Sequence, residues 1–277
     1  MTQQIRPIPA PLLLAAMTLG MLLIYRTVSL PLIGVGLLLF GAFALVRPGL
    51  ALLFIPLTVP WYLSPVYIPD IRAGGFVLPL AEMLLLTTLG ATLARLTIDV
   101  ARGQVAAPSL KPQASSLRSF LPQILFFAAG VLGVALAIER SPALRDFRWM
   151  VIEPLIFYAL IRWQQRQDSA YARQITAALI ASGTFVALLG ILQFFGVDLV
   201  PLLLSPTKSF ADSVVPDEGV SRIASVYGHP NNLGMFLGRV WPLAAALAVR
   251  ARSQEPPARS VAFKTQNSKL CFSCSAC

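Results

Sequence analysis

The chain has 277 residues, of which 56% are hydrophobic and only 12% charged, with a mean hydropathy of +0.72. Soluble domains carry about 25% charged residues, and no soluble core of this length hides so much apolar side chain. These numbers exclude an ordinary globular enzyme. They predict an all-α, polytopic integral membrane bundle.

About eight apolar runs are long enough to cross a hydrocarbon core of about 30 Å. They fall at 10–25, 28–46, 49–67, 76–95, 120–138, 147–163, 175–195 and 231–249. The first run has one side-chain charge before it, Arg6, no small-x-small cleavage pattern before Arg26, and another run directly after it. It is therefore expected to be a retained helix rather than a secretory signal.

The formal charge of +10, from 22 Lys+Arg against 12 Asp+Glu, would point to nucleic acid in a soluble protein. Here the basic residues sit in short loops between apolar runs, which fits the positive-inside effect. With the N-terminus inside, fourteen Lys and Arg face the cytoplasm. Seven face outward (Arg26, Arg72, Arg140, Arg145, Arg148, Lys208 and Arg222), and Arg239 falls within the last run. The bias predicts an N-in/C-in topology.

The expected organisation is a four-helix membrane region at 1–96, a cytoplasmic linker at 97–118, a second four-helix region at 119–250 and a polar cytoplasmic tail at 251–277. The linker is polar, basic and contains two prolines. Within the second region, 196–230 is the longest outer loop, and Pro201, Pro206 and Pro216 argue against a long helix through it.

The usual constellations of soluble enzymes are absent from the sequence. It has no phosphate-binding Gly-rich loop after a strand and no His-Glu-x-x-His, and His229 is the only histidine. What remains is a set of ionisable groups near the outer half of the membrane. Glu82 and Glu153 lie a few residues into the fourth and sixth runs, and Arg239 lies about 12 Å along the eighth helix. A charge at that depth costs at least about 2.5 kcal/mol, so it should face the bundle and find a partner. Glu82–Arg239 and Glu153–Arg239 pairs that fix helix packing are one reading. A polar cavity open to the outside is the other.

The segment Glu139–Trp149, ERSPALRDFRW, places Arg145 and Arg148 three apart on one helix face, with Arg140 before Ser141-Pro142. Three guanidiniums at the outer mouth suit a phosphate, whose oxygens match the arginine fork. Lipid headgroups, Glu139 and Asp146 are the competing partners. The stretch 220–243, VSRIASVYGHPNNLGMFLGRVWPL, contains a turn at Gly228–Asn232. Pro230 biases His229 away from helix, and Asn231 or Asn232 is expected to cap the eighth run. The positive helix N-terminus would favour an anion there, with Arg222 close in sequence. His229 is either a turn residue or an acid–base group.

This stretch resembles the O-antigen ligase/polymerase family of polytopic bacterial membrane proteins. The similarity rests on Arg222, Gly228, Pro230-Asn231 and the LGMFLGRVWPLAAALAV run. Leu78-Pro79-Leu80-Ala81-Glu82 and Ser141-Pro142-Ala143-Leu144 match more weakly. It covers about 70–250. The resemblance implies a glycosyltransferase that moves or polymerises glycan from an undecaprenyl-pyrophosphate carrier to a glycan or lipid acceptor, at the outer face of the inner (cytoplasmic) membrane. It implies no metal and no cofactor, and the basic loops, read as positive-inside, call for no nucleic-acid partner. Arg222, then Arg145 and Arg148, then Arg140 are the implied pyrophosphate-binding residues, and no catalytic residue is implied here. Glu82, Glu153, Arg239, His229 and Asn231 would shape the polar cavity.

Family members continue with further helices and an outer loop that supplies a histidine in a His-Asn context. Nothing after Arg250 fits that loop, so the chain is expected to be C-terminally truncated. A transporter or flippase for a lipid-linked or anionic substrate, or a non-catalytic carrier-binding fragment, are the alternatives. Cys271, Cys274 and Cys277 form a C-x-x-C-x-x-C tail that lacks a fourth ligand, so a solvated tail or frame-shifted gene end is expected over a zinc or iron–sulfur site.

Overall fold

A computed structural model of the chain describes residues 10–27, 29–61, 66–68, 76–103, 114–203, 214–217 and 220–254. Ten α-helices and two short hairpins make up the regular structure of these residues. The first two helices are α1 (Ala10–Arg26) and α2 (Leu30–Val46). Each follows its predicted run and is apolar nearly all round, so the packed face is chosen by residue size rather than polarity. On α1 the buried stripe is Leu13, Met17, Gly20 and Ile24, and on α2 it is Ile33, Gly36, Phe40 and Ala44. Both follow the three- and four-residue spacing of one helix face. Gly20 and Gly36 let the two backbones approach: a Cβ on Gly36 would lie 2.8 Å from the Gly20 carbonyl oxygen.

The third run is shorter than predicted. Helix α3 (Pro48–Thr58) continues as a 3₁₀ turn only to Trp61, because Pro56 and Pro60 remove backbone donors and crowd the preceding turn. Val66–Ile68 (β1) and Phe76–Leu78 (β2) then pair antiparallel, with Tyr67 opposite Val77. All six are β-branched, aromatic or leucine, and the five within the predicted runs (all but Ile68) fit a strand as well as a span end. After Pro79, α4 (Leu80–Ala101) runs past the predicted end. Thr87, Thr88 and Thr92 satisfy their hydroxyls on the carbonyls four residues back. Helix α5 (Ala114–Leu136) begins inside the predicted linker, which shrinks to the residues between Ala101 and Ala114.

The sixth run lies within one rod that starts before it and has three parts: α6 (Arg140–Phe147), a π-helical turn (Arg148–Ile152) and α7 (Glu153–Gln165). Pro154 explains the interruption. It has no N–H for the carbonyl four residues back and would clash with it, and a widened turn just before it relieves both. Helices α8 (Tyr171–Phe194) and α10 (Pro230–Gln254) match the last two runs. Between them the predicted outer loop contains no long helix among its described residues. It has a single turn of helix, α9 (Val200–Leu203), a hairpin of β3 (Val214–Asp217) with β4 (Val220–Ile223), and a 3₁₀ turn at Ser225–Tyr227.

Two buried clusters hold the bundle together. One joins α1–α4 to α7 and the start of α8. The other joins α8 to α9, the 3₁₀ turn and α10. Among its described residues helix α5 packs chiefly on the α6–π segment, where Gly130 makes room for the Phe147 ring. Large apolar side chains face outward over much of the surface, Leu38 at 76% exposure among them, far more than water tolerates. Three helices, α4, α8 and α10, are long and apolar enough to cross a membrane. Shorter apolar helices at Pro11–Arg26, Leu30–Val46, Pro48–Trp61 and Phe120–Leu136 accompany them. The chain is an α-helical membrane protein. The cysteine tail lies outside the described residues.

Candidate functional site

The polar centre of the bundle is built on Arg148. Its Nη2 donates to Glu82 Oε2 at 3.3 Å, and its Nε faces Glu153 Oε1 at 3.8 Å. Glu82 is 2% exposed, in the first turn of α4, and Glu153 is buried at the start of α7. The two carboxyl groups lie against each other as well as against the guanidinium. The π turn produces this geometry. Its i→i+5 hydrogen bond, from the Glu153 N–H to the Arg148 carbonyl, brings residues five apart onto one side of the rod.

Trp149 lies beside the Glu82 carboxyl and carries both arginines on its ring. Arg145 sits 5.5 Å and Arg148 5.9 Å from the ring centroid, within cation–π range. Arg145 also meets Asp146 at 3.4 Å, where both are exposed. Arg140 opens α6 and is exposed. The structure thus brings Glu82, Glu153, Arg148 and Arg145 together, as a cluster reaching from the bundle interior to its surface.

The expected partner of the two glutamates is corrected. Arg239 is exposed on α10, and no ion pair joins it to Glu82 or Glu153 among the described residues. The buried face of α10 is set by Phe236 and Val240, and Val240 packs directly on Gly183 of α8. Arg239 is adjacent to Val240 and is turned away from that contact by about 100°.

A second polar network fixes the turn that leads into α10. Gln193, buried in the last turn of α8, accepts from the Ser225 N–H at 3.0 Å and donates to Asp198 Oδ1 at 3.4 Å. Asp198 in turn accepts from the Val200 N–H at 3.0 Å and so caps α9. Ser225 is fully buried with φ +48°, and its hydroxyl donates to the Val186 carbonyl at 3.1 Å. A serine in the left-handed region is uncommon, and these two bonds hold it there. Tyr227 packs its ring 5.2 Å from that of Phe236, and burial pushes its phenol pKa upward, so the hydroxyl stays neutral. Gly228, at φ +65°, then turns the chain into His229.

His229 itself caps α10. Its Nδ1 accepts from the Asn231 N–H at 3.2 Å, and Pro230 occupies the first helical position. The asparagines expected to cap lie within the first turn instead. Replacing His229 by alanine should cost about 1 kcal/mol of stability, read as a lower melting temperature in detergent, and His229→Asn should restore most of it. Arg222 lies in β4 opposite Val215, and its side chain falls outside the described residues.

These features occupy one end of the bundle. The 3₁₀ turn ending at Trp61 packs on both the Ser225–Tyr227 turn and α4, whose first turn carries Glu82. Trp149, Gln193 and Ser225 were not singled out in the sequence. Gln193 was the one with a visible signal, an amide near the end of an apolar run. No cluster of three or more His, Cys, Asp or Glu able to hold a metal occurs among the described residues.

The fold and this cluster define the class: a helical membrane protein with a guanidinium held between two buried carboxyls at one end of its bundle. Compared with family models, curated proteins and solved structures, the chain matches none of them.

Proposed function

We propose that the chain is a membrane glycosyltransferase-like protein of the O-antigen ligase/polymerase type, working at the outer face of a bacterial inner membrane. It would have about eight spans in an N-in/C-in arrangement. The observation that carries the proposal is the pairing of Arg145 and Arg148 on Trp149, with Arg148 anchored by Glu82 and Glu153. An arginine fixed in this way pays little further ordering entropy when it meets an anion, which is what a phosphate clamp requires.

In the proposed reaction an acceptor hydroxyl attacks the anomeric carbon of the carrier-linked sugar. The bond from that carbon to the phosphate oxygen breaks, the pyrophosphate leaves with the electron pair, and the hydroxyl proton passes to an oxygen of the leaving pyrophosphate. Arg145, Arg148 and Arg222 meet the charge that develops on the phosphates. Glu82 and Glu153 position Arg148, and Arg140 extends the positive mouth. The Nδ1 of His229 is used as a helix cap, so the ring is given no role as base. The donor would be an undecaprenyl-pyrophosphate-linked glycan, with a glycan or lipid as acceptor.

Replacing Arg222 by alanine should weaken binding of undecaprenyl pyrophosphate to the purified chain by about tenfold, the loss of one charge-assisted contact. Titration of the carrier in detergent micelles measures it. Binding equal to wild type overturns the donor site.

A further inference from the structure

Beyond the π turn α5 stands off α7, and a groove of about 260 Å³ opens between them. One stripe of α7 makes its floor: Leu155, Ala159, Arg162 and Arg166, spaced four, three and four residues apart on a single helix face. Phe120 of α5 stands on the facing wall. Arg162 lies about 14 Å along α7 from Glu153, and no side chain of the Arg148 cluster lines the groove.

The lining changes character along its length. Leu155 and Ala159 stand at the deep end, Arg162 and Arg166 at the outer end, and Tyr158 and Trp163 beside the change-over. Both arginines are exposed, and among the described residues neither side chain makes a hydrogen bond or an ion pair. Two guanidiniums one turn apart are thus open to an anion. Tyr158 is 38% exposed. The indole N–H of Trp163 has no acceptor among the described residues and, unlike that of Trp149, is accessible. The negative end of α7 accounts for a cation at its last turn, but not for a groove that joins two of them to an apolar wall.

We infer that the groove binds an anionic glycerophospholipid, at the end of the bundle away from the Arg148 cluster. The phosphate lies between Arg162 and Arg166, the glycerol esters at the level of Trp163 and Tyr158, and the start of one acyl chain against Ala159, Leu155 and Phe120. Basic pockets between membrane helices take anionic headgroups in this way, and indole and phenol rings favour the level where chain meets headgroup. The order of the lining selects the occupant. A soluble phosphate gains nothing from Leu155 and Phe120, and a zwitterionic headgroup sets its own cation against two guanidiniums. An isoprenyl phosphate brings no ester oxygen to the Trp163 N–H. The site does not rest on the glycan-transfer reading, since the two share no side chain.

Native mass spectrometry of the full chain in a non-ionic detergent tests the assignment, with phosphatidylglycerol, phosphatidylcholine, undecaprenyl phosphate and glycerol 3-phosphate as probes. Phosphatidylglycerol should be retained over the other three. Arg162→Gln and Arg166→Gln should each lower its retention about fivefold, and the double variant by tenfold or more. Trp163→Phe, which keeps a ring but removes the N–H, should narrow the preference over undecaprenyl phosphate. Arg173→Gln removes the same charge from an exposed position on α8 outside the groove, and should leave retention unchanged. An equal loss in Arg173→Gln would overturn the site in favour of diffuse attraction to the charged bundle end. Unchanged retention in the double variant overturns it outright, as does a chain that holds no lipid. Preference for undecaprenyl phosphate overturns the glycerolipid assignment, and equal retention of glycerol 3-phosphate overturns the part given to the apolar wall. None of these results bears on the donor site at Arg148, which the carrier titration tests by itself.

Discussion

Replacing Arg148 by alanine is expected to destabilise the protein by about 3 kcal/mol and to reduce pyrophosphate binding at the same time. Glu82 is almost completely buried, and among the described residues its one salt bridge is to Arg148 at 3.3 Å. Removing one partner of a buried pair costs about 3–5 kcal/mol, because the other charge is left without compensation. The lower end applies here, since Arg148 is itself 36% exposed and part of its charge is screened. Arg148→Lys should recover little, because an ammonium cannot reach two carboxyls with a planar fork. Adding Glu82→Gln to Arg148→Ala should restore much of the stability but none of the binding. Thermal unfolding in detergent separates these outcomes. An Arg148→Ala chain as stable as wild type would show that the cluster does not hold the bundle end together.

Gly36→Val is expected to have the next largest effect, about 1–3 kcal/mol, the range for overpacking a tight interior. Its Cβ would meet the Gly20 carbonyl oxygen at 2.8 Å and Ile24 Cγ1 at 2.9 Å. The first of these is backbone and cannot rotate aside, so α1 and α2 must separate along the stripe that buries Met17, Ile24, Ile33 and Phe40. Gly34 supplies the control. It lies two residues away on the same helix with nothing within 4 Å of its ideal Cβ, so Gly34→Ala should be neutral or slightly stabilising. Equal melting temperatures for Gly36→Val and Gly34→Ala would refute close packing of the two helices.

The apolar runs made the helices legible, because length and hydropathy are local properties of the chain. Each of the eight runs overlaps an α-helix among the described residues, and three of those helices are long and apolar enough to cross a membrane. The departures in the third and fourth runs sit at proline. Pro56 and Pro60 shorten the third, and Pro79 marks where strand gives way to α4. The site was legible in its residues but not in its pairing. Glu82, Glu153, Arg145 and Arg148 all stand out as charges near apolar segments, yet the choice of Arg148 over Arg239 depends on the π turn. Spacing rules for an ordinary helix place residues 148 and 153 on different faces. The role of His229 as a cap was hidden for a related reason. Asparagine is the commoner cap, and only the positive φ of Gly228 brings the imidazole back over its own helix.

The π turn also separates two angular settings that a single helix would tie together. An uninterrupted α-helix from Arg140 to Gln165 would fix the azimuth of Leu160, Ile156 and Phe157, which pack into the larger core, by that of Arg145 and Arg148. One inserted residue shifts the phase between the halves by about 100°. The rod therefore behaves as two keys cut on one shank. The turn lets α7 keep its seat against α3 and α4 while Arg148 faces the Glu82 carboxyl, an offset that a regular helix could not give.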